Sequence, residues 1–381
     1  MPASMTGFRF IHASDLHLGR RFANIPEPPD GNVRGRLMEA RHGAIARLAA
    51  AAVANGAADI LLAGDTFDTA TPSPTAIRQT LAAMAEAAPV RWWLLPGNHD
   101  NLRDAEPLWD AIRREGPENI HALTESAPVA LAAGVTLLPC PVEWRSAGRD
   151  PTTAMVDMES AAGDLRIGLA HGGISDFGEE GAAIAPNRDR SAELDFLALG
   201  DWHGRMQVSP RVHYSGSPEQ DRFKHDHRGV CLAITVAGPG ATPHVDEVET
   251  GTFLWTEREV TLAPRQDADA ALNAVLPAAG RRDTLLRVRA SGWTGLAERA
   301  RLEAAGNQCG PEFAHFDLRT DALGTQYDPD DLDEIDHAGA LRLAADTLMD
   351  EAGDGARPEA GRTVAGDSLA RLYAYTREAP R

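Results

Sequence analysis

Lysine is almost missing from this chain: among its 381 residues there are 37 basic ones, and every one except Lys224 is arginine. Guanidinium forks suit bidentate phosphate recognition, but beside so much alanine and glycine the bias reads as a codon preference. Positive charge is scarce overall. The 56 acidic residues leave a net charge of −19, which argues against a general electrostatic grip on nucleic acid, since that grip rests on Lys and Arg neutralising phosphates. Any polyanion must be held locally. Cysteine is limited to Cys140, Cys231 and Cys309, too few and too dispersed for a disulfide framework or a CxxC metal pair, and a reducing cytoplasm is the expected compartment. Long apolar runs are absent too. The stretch from Leu48 to Ala54 falls far short of the roughly 18 residues of a membrane span. The start, MPASMTGFRFIHASD, lacks a basic n-region followed by an apolar core, so neither a signal peptide nor a membrane partner is expected.

What is present is ordinary globular material, 43% hydrophobic and 24% charged, in a length that allows two domains. Short apolar runs recur and stop abruptly: FRFIHA, DILLA, WWLLP, RIGLA and DFLAL read as buried strands. Between the first three lie helical patterns. Arg36 to Ala54 puts Leu37, Ala40, Ala44, Ile45, Leu48 and Ala52 on one face, and a second helix starts with Ser73 as N-cap and Pro74 in its first turn. This alternation is an α/β signature. Beyond residue 120 come shorter strands with turn signals, PVALA, VTLLP, RVHYSGS, GVCLAITV and FLWTEREVTL, which predict antiparallel pairing and hence a mixed sheet or two packed sheets. The runs pause near residue 262. A helix, strand, helix, strand series then predicts a small α/β cap over 263–345, with a helical tail over 346–381. Six carboxylates between Asp328 and Asp336 read as a solvated linker.

Chemistry collects where the buried strands end. The ends carry Asp15-Leu16-His17, Gly64-Asp65-Thr66-Phe67-Asp68, Gly97-Asn98-His99-Asp100, His171-Gly172-Gly173 and Gly200-Asp201-Trp202-His203. In open α/β sheets ligands bind beyond the carboxyl ends of the strands, so five such loops can converge on one polar cup. Carboxylates, imidazoles and one amide suit divalent Mn, Fe or Zn better than an all-oxygen calcium cage. Two such ions can activate a water and neutralise charge growing on a phosphoryl oxygen, which makes phosphoester hydrolysis the natural use.

The ordered set SDLH, GDTFD, GNHD, HGG and GDWH resembles the calcineurin-like metallophosphoesterases over residues 8 to 262. FIHASDLHLG with LLAGDTFDTATPSP is similar to their DNA-repair exonuclease branch, which includes the SbcD nuclease subunit. The resemblance implies two mixed sheets between helices and a dinuclear metal site, with manganese as the expected metal. It assigns Asp15, His17 and His203 to a first ion, Asp65 to a bridge, and Asn98 and His171 to a second ion. His99 becomes a non-ligand acid for the leaving oxygen, oriented by Asp68. The branch usually reads Gly-His-x-His at the last motif; here Asp201 takes the first histidine's place, and a carboxylate there still donates to a divalent ion while adding negative charge. The implied activity is metal-dependent DNA cleavage by an exo- or endonuclease, with DNA, an SMC-type coiled-coil ATPase and a second copy of the chain as expected partners. A phosphodiesterase or phosphatase for small substrates, and a non-catalytic regulatory subunit, are the alternatives.

Outside these motifs plainer readings hold. His12 lies within a strand and reads as core; His121, His244, His315 and His337 have no motif around them. His213, His225 and His227 flank YSGSPEQDRF, a segment like the one after the last metal motif in the exonuclease branch. Arg20 and Arg21 are placed to meet a phosphate or simply to face solvent, and Arg287 and Arg289 to touch nucleic acid or form a solvated strand face. Trp92 and Trp93 read as core.

Overall fold

A computed structural model describes residues 7–27, 31–145, 148–174, 184–326, 335 and 339–378. The carboxylates of the acidic run from Asp328 to Asp336, and His337, lie outside these residues. The chain divides into two compact units, Met1–Leu254 and Trp255–Arg381.

The first unit is built on two mixed sheets. One contains β1 (Phe8–Ala13), β2 (Asp59–Leu62), β3 (Arg91–Leu94) and β4 (Ile120–Ala122), all parallel. The other contains β5 (Val129–Ala132), β6 (Val135–Cys140), β7 (Leu165–His171), β8 (Phe196–Gly200), β9 (Met206–Ser209) and β10 (Val212–Tyr214), in the order β5-β6-β7-β8-β10-β9. Its central four strands are parallel and its two edges antiparallel. On the far side of β1 the first sheet continues antiparallel through β11 (Arg228–Val236) and the first part of β12 (His244–Leu262), paired from Thr235 with His244 to Arg228 with Leu254. Helices α1 (Val33–Ala54), α2 (Pro74–Glu86) and α3 (Glu106–Glu115) complete this side.

Period-two alternation divides each strand between two cores. Phe10, Leu61 and Trp93 meet Leu137, Ile167, Leu169 and Phe196 from the second sheet. Their neighbours Ile11, Ile60, Leu62 and Trp92 face Ile45 and Leu48 of α1, Met84 of α2 and Trp109 of α3. The apolar stripe expected on α1 is buried as a whole, and Ser73 caps α2 by accepting from the Ala76 amide at 3.2 Å. Trp92 and Trp93 are core residues whose indoles donate to the Met84 carbonyl and the Asp59 carboxylate. The strand expected over RVHYSGS stops at Tyr214, because Gly216 turns at φ 76° against the Gly204–Arg205 backbone. This turn frees Ser215 and Ser217 for the loops below. FLWTEREVTL is only the second half of β12; the half-exposed first part lacks a clean alternation.

In the second unit, the remainder of β12 is followed by the helix Ala268–Val275, β13 (Thr284–Gly295), the helix Leu296–Cys309 and β14 (His315–Gln326). β13 and β14 are parallel, from Leu285 with His315 to Gly295 with Gln326. Val260, Leu262, Leu272, Leu286, Val288 and Leu302 form its core. Two further helices, Ala340–Gly353 and Glu359–Glu378, bury Ala345, Leu369 and Tyr373 with Leu296. Arg287 and Arg289 donate to Asp317 and Glu257 at 2.8 and 2.6 Å, the pairing of a solvated strand face rather than of waiting phosphate contacts. No helix among the described residues is long and apolar enough to cross a membrane.

Candidate metal centre

Each chemical motif sits at the C-terminal end of a parallel strand or in the loop just after it, and the loops lock one another. The Asp15 amide donates to the Gly64 carbonyl at 3.1 Å, and the His17 and Leu18 amides to the Asp65 and Thr66 carbonyls. Asp100 accepts from the amides of Phe67 and Gly97, tying the second loop to the third. The backbone is contorted to do this: Asp15, His17, Asp65 and Asp201 all have positive φ, at 56°, 43°, 55° and 100°. Such conformations cost non-glycine residues energy and gather at functional sites. At Gly64, φ is 88° and a Cβ would collide with the His171 ring; only glycine lets strand and ligand approach this closely.

The side chains then converge. His17 and His203, 186 residues apart, bring their Nε2 atoms to 3.2 Å. His17 Nδ1 faces an Asp68 carboxylate oxygen at 3.3 Å, and His203 Nδ1 faces Asp221 at 3.3 Å. With the His203 Nδ1 on Asp221 and the His17 Nδ1 turned toward Asp68 without a hydrogen bond, the two Nε2 atoms face each other, an arrangement that a shared cation suits. Asp15, fully buried, stands 3.8 Å from His203 Nε2 and 3.9 Å from His17 Nε2. Asp65 Oδ2 is 3.6 Å from both His17 Nε2 and His171 Nε2, between the two halves of the site. His171 donates from Nδ1 to the Ala63 carbonyl at 2.8 Å, leaving Nε2 buried without a hydrogen bond, 3.7 Å from Asp201 Oδ1. Asn98 donates to that same Asp201 oxygen at 3.0 Å, and its own Oδ1 is buried and unpartnered.

Those unpartnered buried atoms fit a metal. The donor atoms of Asp15, His17 and His203, and those of Asp15, Asp65 and His171, each lie within 4.8 Å of one another; so do those of His17, Asp68 and His99. The first trio is the set that the resemblance assigns to a first ion; the second brings Asp65 and His171 together with Asp15, which the resemblance gives to the first ion. Charge tells the same story. Burial pushes the Asp65 carboxyl well above the usual range, opposed by His171 and helped by Asp100 and Asp15. Burial would lower His171, but Asp65, Asp15 and Asp201 overcome it and raise it to about 9. Burial holds His17 down at about 4. Protons thus sit among crowded carboxylates where a divalent ion would release them.

His99 stands at the edge of this group. Its amide donates to Asp65 Oδ1 at 2.9 Å and its ring lies edge-on to His17 at 4.8 Å. Its Nδ1 donates to the main-chain carbonyl of Asp68 at 2.9 Å. Asp68 therefore orients His99 through its backbone, while its carboxylate turns to His17 and Arg20.

Two supports escaped the sequence reading. Asp221, in the EQDRF part of the segment after the last motif, is the buried carboxylate behind His203; the only available signal was an acid in an already suspected loop. Arg41 of α1 is 1% exposed and donates to the carbonyls of Leu16, Asp15 and Glu219 at 2.8, 3.1 and 2.9 Å. It fastens the first metal loop to the 215–221 loop.

The model of the calcineurin-like phosphoesterase family matches residues 8–227. The chain belongs to that family. The match takes in every strand-end motif described above. An uncharacterized metallophosphoesterase of Bacillus subtilis (strain 168), YhaO, is 28% identical over 244 residues, 58% of this chain and 55% of that protein. The chain thus spans about half the length of that relative. Among solved structures, TT1561 of Thermus thermophilus is 11% identical with a TM-score of 0.42, covering 64% of this chain and all of that one. Purple acid phosphatase PPD1 from yellow lupin gives the same identity and TM-score over 66% of this chain and 52% of its own.

Proposed function

We propose that this family member is a two-metal phosphodiester hydrolase that cuts DNA. The observation that carries the hydrolase reading is the pair of imidazole Nε2 atoms facing each other at 3.2 Å beside Asp15 and Asp65, with the His99 ring beside them, hydrogen-bonded through Nδ1. Asp15, His17, Asp65 and His203 would hold one ion; Asn98, His171 and Asp201, together with Asp65, would hold the other. When bound, two divalent ions supply an activated water and neutralise charge on the phosphoryl oxygens. The chain's own part is to fix that geometry and manage a proton. Asp221 holds the Nδ1 side of His203 by a hydrogen bond and Asp68 faces the Nδ1 side of His17, so both Nε2 atoms are turned inward. His99, anchored through Nδ1–H on the Asp68 carbonyl, acts as the imidazolium: its second proton, on Nε2, passes to the leaving oxygen and the ring is left neutral with Nδ1–H still in place.

The DNA reading rests on the likeness of the first two motifs and of YSGSPEQDRF to the SbcD-containing repair branch. On that reading manganese is the working metal, the cytoplasm the compartment, and an SMC-type coiled-coil ATPase and a second copy of the chain the protein partners. The net charge of −19 and the pairing of Arg287 and Arg289 with carboxylates favour a second reading, a phosphodiesterase for small substrates. One parallel assay separates them: Mn²⁺-loaded protein on single- and double-stranded DNA, bis-p-nitrophenyl phosphate and p-nitrophenyl phosphate. Cleavage of DNA is expected. Turnover of the diester alone sinks the nuclease, and no turnover of any substrate sinks the hydrolase. In the same assay His99→Ala should lose about 10²- to 10⁴-fold in rate, the usual contribution of a general acid, while keeping its metals.

A further inference from the structure

Two arginines stand over the first half of the site and are bound to the same buried acid. The Asp221 side chain is fully buried; its Oδ1 accepts from Arg222 Nε at 2.8 Å and its Oδ2 pairs with the Arg20 guanidinium, 3.1 Å from Nη1. Arg222 is 42% exposed and Arg20 26%, so the acid is sealed below while both guanidiniums reach the surface. Arg222 Nη2 lies 3.1 Å from His203 Nδ1 and 3.2 Å from Nε2. An atom so nearly equidistant from both ring nitrogens lies along neither lone-pair axis. It rests against the ring and leaves Nε2 open to an ion.

The donor count leaves these groups underused. A guanidinium carries five N–H donors. Arg222 spends Nε and Nη2; Arg20 spends Nη1 on Asp221 and, at 3.4 Å, on Asp68, which it shares with His17. Neither guanidinium makes a further hydrogen bond to protein among the described residues. Asp221 balances only one of the two cations, and the forks match the spacing of phosphoryl oxygens.

We propose that Arg222 and Arg20 form an anion clamp for the phosphoryl group of the substrate, with Asp221 as the post that fixes both. Arg222 reaches the oxygens of a group seated beside His203, and Arg20 closes on them from the Asp68 side. This clamp deepens the hydrolase reading above and rests on it for the substrate class. It also explains how a chain with net charge −19 holds an anion: the attraction is confined to two guanidiniums at the mouth.

The test is calorimetric titration of Mn²⁺-loaded protein with inorganic phosphate, with metal content measured on the same samples. Arg222→Ala and Arg20→Ala should each weaken phosphate binding at least tenfold with both ions retained. Arg222→Lys, which keeps the charge but loses the fork, should fall between. With bis-p-nitrophenyl phosphate the loss should appear chiefly in KM. Unchanged phosphate affinity in the two alanine variants overturns the clamp. So does loss of metal in Arg222→Ala as complete as in His203→Ala, which would make Arg222 a support for the ligand. Arginine-dependent phosphate binding by a wild-type protein that hydrolyses none of the esters upholds the clamp and rejects the hydrolase.

Discussion

Asp201 is the residue on which the make-up of the second ion's shell turns. Its Oδ1 lies 3.0 Å from Asn98 Nδ2 and 3.7 Å from His171 Nε2, next to the two other groups assigned to that ion. Asp201→Ala should release one ion selectively, because the other keeps Asp15, His17, Asp65 and His203. Asp201→His should be tolerated, since an imidazole also donates one lone pair to a borderline cation. Metal titration of both variants decides: two tightly held ions in Asp201→Ala would leave Asp201 as the group that orients the Asn98 amide, a role whose loss typically costs 10- to 100-fold in affinity. The residues of the centre were legible because each stands at or just after the end of a buried strand, in a stretch marked by Gly, Asp, Asn or His. Asp221 and Arg41 were not. A single acid in a polar loop, or an arginine on a helix between Leu37 and Ala44, has no local signature; its role exists only once distant segments meet.

At the scale of elements, α1 does more than cover a sheet. Through Arg41 it presents a buried cation to three carbonyls of two loops, and no carboxylate lies within ion-pair distance of Arg41 among the described residues. Burial lowers its pKa even so, despite Asp221. Arg41→Met keeps the apolar stem but leaves the Leu16 carbonyl without its donor and the Asp15 and Glu219 carbonyls to share the one hydroxyl hydrogen of Ser217, each unsatisfied group at roughly 1–3 kcal/mol. The expected loss is about 3 kcal/mol or more in chemical denaturation, together with weaker Mn²⁺ binding because the Asp15–His17 loop is freed. Unchanged stability would mean water replaces the guanidinium without cost. The long α1 and the core strands β1, β2, β3, β7 and β8 were readable from apolar periodicity. The full length of β12 and the brevity of β10 were not, because the first lacks alternation and the second ends where the backbone turns at Gly216 against a distant segment, Gly204–Arg205.

On the scale of the whole molecule, the two sheets of the first unit enclose a titratable pair. His12 donates to the Leu199 carbonyl of the opposite sheet at 3.1 Å. Burial, with His213 beside it, holds it at about 3; burial holds His213, stacked on Phe196, at about 4. Both values lie below that of the unfolded chain, which therefore binds protons from about pH 6.5 downward that the native state refuses, so stability falls with pH through this window. For His12 alone the loss at pH 5 is about 2 kcal/mol. The metal-free His12→Gln variant should lose that much less stability than wild type between pH 7.5 and pH 5 in urea titrations; parallel curves for the two proteins would contradict it.

The family and the two-sheet architecture follow from motifs spread along the first 203 residues, but the convergence of those motifs is a property of the fold. The account as a whole depends on two ions being held there. Equilibrium dialysis of the full chain against Mn²⁺, with the bound metal counted per protein, tests it most directly. Two ions per chain at saturation are predicted, and less than one would contradict it.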